Sequence, residues 1–68
     1  MKLELTKSGK NKVGMWCIGT LVSDNFEYNG LFNLDKEYNV VDGSIYEVKD
    51  VKARTDRKGI LRITLVLK

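Results

Sequence analysis

Lys52 and Arg54 stand two residues apart in a β-rich run, and Arg57, Lys58 and Arg62 follow within the next few positions. On an extended strand the first two side chains point the same way, about 7 Å apart. That is near the spacing of successive phosphates on a nucleic-acid strand, so the pair could hold a polyanion. Lys7, Lys10 and Lys12 form a second cluster around Gly9. Between the clusters, Trp16, Phe26, Tyr28, Phe32, Tyr38 and Tyr46 fall in strand-like runs. Rings with a polar tip suit a partly wet surface, which makes Trp16, Tyr28 and Tyr38 the better stacking candidates and sends Phe26 and Phe32 to the core.

Other chemistry has little to work with. Histidine is absent and there is one cysteine. This excludes a Ser-His-Asp triad, a Cys-His pair, an imidazole or Cys-rich metal site and an intrachain disulfide. Asp35 and Glu37 fall in an expected turn and would need a cleft to split their pKa values, which so small a barrel rarely has, and Ser8 and Ser23 have no base within local reach. Cys17, between Trp16 and Ile18, is expected to be buried, with a raised pKa. Ser8-Gly9-Lys10 resembles a fragment of a phosphate-binding loop but lacks the second glycine and the following helix. No catalytic, metal or cofactor site is expected.

The chain has 68 residues, of which 43% are hydrophobic and 31% charged, with six glycines and no proline. That is the composition of one small globular domain. The net charge of +3 is unevenly spread: residues 1–12 carry +3, residues 13–48 carry −5 and residues 49–68 carry +5. If both terminal segments share one side of the fold, that side is a basic patch that attracts polyanions at long range.

Strand signals dominate. Leu3 and Leu5 alternate with polar residues in a first strand, and residues 7–12 have turn composition. The run from Val13 to Val22 is apolar on both alternating sets, with Gly14 and Gly19 inside it; this predicts a bent strand contributing to both walls of a barrel. A hairpin is expected between residues 16–22 and 26–34, with Phe26, Tyr28, Phe32 and Leu34 on one face. A short strand over Tyr38–Val41 and a type I′ turn at Asp42-Gly43 should follow. From Ser44 to Arg54 the apolar phase slips near Lys49-Asp50, the mark of a β-bulge. Residues 55–59 form a basic turn before a last strand, Ile60–Lys68. No window supports a helix. The expected fold is all-β: a small closed or partly open antiparallel barrel of five to six strands, OB or SH3-like, spanning residues 1–68. The apolar last strand must pair with the barrel or with a second subunit, which raises a homodimer through the C-terminal strand.

Gly43-Ser44-Ile45-Tyr46-Glu47-Val48, a lysine-bearing strand, a turn at Gly59, and Leu61-Arg62-Ile63-Thr64-Leu65-Val66-Leu67-Lys68 together resemble the end of the helix-destabilising, single-stranded-DNA-binding proteins of filamentous phages. The opening Met1-Lys2-Leu3-Glu4-Leu5 is similar to their start. The resemblance implies an OB-type barrel that acts as a dimer and coats replicating single strands. Its basic hairpin maps onto Lys52, Arg54, Arg57 and Lys58. The acidic middle departs from that family, and its base-stacking tyrosines find no register here.

The functional expectation is single-stranded DNA or RNA binding with little sequence preference. Lys10, Lys12, Lys52, Arg54, Arg57, Lys58 and Arg62 would meet phosphates, and Trp16 and Tyr28 would offer stacking surfaces. The alternative is a protein-interaction module, an SH3-like adaptor or a small viral or plasmid-encoded inhibitor of a host protein. Its surface would be the acidic, aromatic stretch from Asp24 to Glu47. No signal-peptide or membrane-spanning run is read in the sequence, so the expected compartment is the cytoplasm, that of a host if the gene is carried by a virus or mobile element.

Overall fold

The alternation of apolar and polar residues resolves into five strands in a computed structural model that describes residues 1–12 and 14–68. They are β1 (Lys2–Asn11), β2 (Gly14–Val22), β3 (Glu27–Leu34), β4 (Ile45–Thr55) and β5 (Leu61–Leu67). The sheet closes on itself in the order β1-β2-β3-β5-β4 and back to β1. The fold is thus the expected small all-β barrel, consistent with the OB or SH3-like class. It is mixed rather than purely antiparallel, because β3 and β5 pair in parallel through Asn33↔Thr64 and Leu34↔Leu65. Parallel neighbours need a crossover, and β4 with its flanking connections supplies it. Among the described residues no helix is long and apolar enough to cross a membrane.

Inward-facing side chains alternate as the strand period demands. Leu3 and Leu5 from β1, Met15, Cys17 and Leu21 from β2, Phe32 and Leu34 from β3, Val48 from β4, and Leu65 and Leu67 from β5 make the core. Each fully buried large side chain contributes roughly 1.5–3 kcal/mol over leaving it in water. β2 buries only one of its two apolar sets: Met15, Cys17 and Leu21 point in, whereas Trp16, Ile18 and Val22 lie on the outer face, Ile18 well exposed. Its second apolar set is therefore not a core face. Val13 lies outside the described residues.

Residues 7–12 do not form the expected long loop. β1 runs on to Asn11, pairs with β2 through Asn11↔Gly14, and absorbs an extra residue between Leu5 and Lys7. The Tyr38–Val41 strand is also absent. Residues 35–44 are an irregular connector whose Tyr38 and Val40 pack against the core. The Tyr38 hydroxyl donates to Asp35 and accepts the Leu67 backbone N–H. The Tyr38 backbone N–H reaches Met15 Sδ at 3.2 Å. Asp42-Gly43 does turn, but only Gly43 has positive φ, +88°, and Ser44 N–H bonds the Val41 carbonyl. This is the pattern of a type II turn, not type I′. It bridges to β1, since Gly43 N–H donates to the Leu5 carbonyl and Leu5 N–H to that of Ser44.

The hairpin of β2 and β3 runs in register from Met15↔Leu34 to Val22↔Glu27, as the pattern implied. The phase slip in β4 is a real bulge: Val48 pairs with Leu67 and Asp50 with Val66, leaving Lys49 extra. β5 pairs along its length with β4, and with β3 at Thr64 and Leu65. The C-terminal strand thus finds its partners inside the barrel.

Candidate nucleic-acid interface

Closing the barrel aligns residues from different strands into lateral rows. One row on the outer surface reads Gly9, Trp16, Asn33, Thr64, Lys52, from β1 through β2, β3 and β5 to β4. At about 4.8 Å per strand, Trp16 and Lys52 are roughly 14 Å apart along the surface, about two nucleotide steps. The row opens beside a groove of about 670 Å³ lined by Lys12, Asn33, Lys52, Arg54, Arg62 and Thr64, with Asn11, Leu34 and Asp35 completing it.

Each cation reaches the groove for a local reason. Lys12 sits in the β1–β2 turn. The extra residue at Lys49 shifts the phase of β4, so Val51 turns toward the core while Lys52 and Arg54 turn out. Arg62 is directly opposite Arg54 across the β4–β5 ladder. Like charges in that position destabilise a sheet. The strain is partly relieved by Asp56, whose Oδ2 takes the Arg62 Nε–H at 3.2 Å. Asp56 also accepts the Lys58 and Ile60 backbone N–H groups at 2.9 and 3.0 Å. These bonds, that of Ile60 foremost, hold its carboxyl below the usual range.

Trp16 rests against Gly9 of β1. A Cβ built on Gly9 would sit 2.6 Å from the indole Nε1 and 2.7 Å from Cε2 and Cζ2. The ring can approach the strand so closely only because residue 9 has no side chain. The indole is only partly buried, so it is a platform with its back to the backbone.

The groove therefore unites Lys12, Lys52, Arg54 and Arg62, with Trp16 next in the row. The other expected residues lie elsewhere. Lys10 is on β1, its ammonium 3.0 Å from Glu37. Arg57 and Lys58 form the exposed tip of the β4–β5 turn. Tyr28 belongs to the inward set of β3 and makes an edge-on contact with Phe32, centroids 5.8 Å apart. It stands with Phe26 at an open end of the barrel, not in the groove. Phe26, expected in the core, is 46% exposed there, because no described residue covers the barrel end that it lines. Tyr38 is drawn into the connector, with the Lys36 ammonium 5.3 Å from its ring centroid.

Asn33 and Thr64 form the polar floor of the groove, and sequence reading did not single them out. Their outward parity was visible, but the pairing that sets them side by side is the parallel β3–β5 contact, which no local pattern encodes. Cys17 is fully buried, and burial pushes its thiol up to about 11, against a smaller opposing effect of a hydrogen bond with the Phe32 backbone. It offers no nucleophile at neutral pH. No protein-family model, no curated protein and no solved structure matches the chain, so the likeness to filamentous-phage single-strand-binding proteins rests on the β pattern of the sequence alone.

Proposed function

We propose that this barrel binds single-stranded nucleic acid, DNA or RNA, with little sequence preference. The observation that carries the reading is the meeting of four cations, Lys12, Lys52, Arg54 and Arg62, in one open groove beside an indole packed against a glycine. Phosphates need fixed positive charge, and every base has a face that can stack. OB-type barrels bind oligonucleotides on the face of β2 and β3 and with the β1–β2 and β4–β5 loops. The same parts of this chain carry Trp16 and Asn33, Lys12, and the Arg57-Lys58 tip. Arg54 and Arg62 lend further support: a directly opposed pair of like charges costs stability, and Asp56 offsets it on the Arg62 side alone.

Trp16 is the sole tryptophan, so its emission reports on the site directly. Titration with a thymidine dodecamer should quench it. Four phosphates met by the groove cations give a slope of log K against log salt of about −3, at roughly 0.7 per phosphate for a single strand. Unchanged Trp16 emission together with absent binding by anisotropy at low salt would refute the function.

A further inference from the structure

The barrel has two ends, and the described residues cover one of them. The connector after β3 packs Tyr38 and Val40 over one end. At the other, β3 and β5 part company: they pair only at Asn33↔Thr64 and Leu34↔Leu65, and their earlier residues diverge. The gap exposes the interior as an apolar mouth of about 250 Å³, ringed by Leu21, Phe26, Tyr28, Val51, Leu61 and Ile63. Phe26, Tyr28 and Leu61 are each about half exposed, at 46%, 47% and 57%. So much apolar surface gathered at one spot on a 68-residue chain marks a contact site.

We infer that a second copy of this chain covers the mouth, in an isologous dimer that shuts both barrels at once. The charge on the rim selects this occupant. Because β3 and β5 run parallel, the β2–β3 and β4–β5 turns flank the mouth on its two sides. The first flank bears the exposed carboxylates Asp24 and Glu27, and the second bears the exposed Arg57 and Lys58. A two-fold axis through the mouth, between the flanks, sets the acidic side of each copy against the basic side of the other. The apolar centres then bury one another within a polar rim, the usual anatomy of a protein interface. A uniformly acidic or uniformly basic partner would meet a like charge on one flank. Phe26 and Leu61 are the anchors, being large and poorly covered in the single chain.

The inference can be told apart from nucleic-acid binding, because neither anchor lines the basic groove, although the Arg57-Lys58 tip enters both readings. Its test is the mass of the purified chain by sedimentation equilibrium from about 5 to 200 μM, a range that brackets micromolar self-association. The expected result is a concentration-dependent rise from 7.8 kDa to twice that value and no further. Leu61→Gln should remain monomeric throughout while Trp16 quenching by the thymidine dodecamer is retained. Glu27→Lys and Lys58→Glu should each weaken the dimer about tenfold or more, and together bring it back to within about threefold of the parent. A parent that stays monomeric throughout, or whose mass climbs without limit, overturns the inference. So does a dimer indifferent to Leu61→Gln, a charge exchange that fails to restore, or a mouth occupied only by some other protein.

Discussion

Adding one methyl group at Gly9 tests the stacking platform without touching any cation. In Gly9→Ala the new Cβ would lie 2.6–2.7 Å from three indole atoms of Trp16. Ordinary carbon contacts are about 3.5–4.0 Å, so the ring must lift or swing by roughly an ångström. The two effects on stability oppose each other. The indole gives up its contact with β1, while replacing a strand glycine with alanine recovers about 0.5–1 kcal/mol of backbone entropy. The folded state should therefore change by less than about 1 kcal/mol. Binding should change far more, since a base stacked on an aromatic ring is worth about 1–3 kcal/mol, or about 5- to 150-fold in Kd. The assay is anisotropy with a labelled thymidine dodecamer, beside urea denaturation of the same sample and the emission maximum of Trp16. Trp16→Phe, which keeps a ring over the glycine, should lose less than Gly9→Ala. A Gly9→Ala protein with parental stability, a moved emission maximum and unaltered affinity would refute the platform. The basic groove would then have to carry the binding alone.

Two further outcomes bear on the groove and the core. Arg54→Gln removes one of two directly opposed guanidinium groups; it should stabilise the fold by about 0.2–1 kcal/mol in urea denaturation, while weakening dodecamer binding and making the salt slope shallower by about 0.7. A loss of stability would show that Arg62 and its Asp56 partner already neutralise the repulsion. The Cys17 thiol ionises only near 11 in the folded chain, against its ordinary value of 9.0. Burial thus leaves stability untouched below pH 9. Above it, the unfolded chain ionises first and folding loses on the order of 2–3 kcal/mol by pH 11. A Cys17→Ala variant should lack this alkaline loss relative to the parent, and a parent and variant with parallel pH profiles would contradict the burial argument.

The parts of the barrel that could be read from the sequence are those in which one strand's own pattern decides the outcome. The β2–β3 hairpin follows from an apolar run and an alternating run on either side of a polar turn. The β4 bulge followed from the break in phase between Tyr46-Val48 and Val51-Ala53. Residues 7–11 have turn composition in their glycine, asparagine and lysines, yet the ladder of β2 fixes their backbone whatever their side chains prefer, and the turn begins only at Lys12. The parity of Phe26 and Tyr28 was right, but parity does not say whether the barrel end they face is covered. The same holds for the candidate site. Lys12, Lys52, Arg54 and Arg62 are visible as charges, and Trp16 as a ring on an outward position. That Trp16 rests on Gly9 depends on the β1–β2 register, which a loop over residues 7–12 would not form. That Asn33 and Thr64 stand side by side between it and Lys52 depends on the parallel pairing of strands distant in sequence.

The extra residue at Lys49 has an arithmetic consequence for β4. Downstream of it, odd and even positions are assigned to interior and solvent by count, not by chemistry. Inserting one residue between Asp50 and Lys52 would turn Lys52 and Arg54 toward the hydrocarbon interior and push Ala53 out, with every original residue still present. Inserting two would restore the orientation. This stretch of the chain can therefore lengthen by pairs far more readily than by ones, and its length parity should be held more tightly than the identity of either cation.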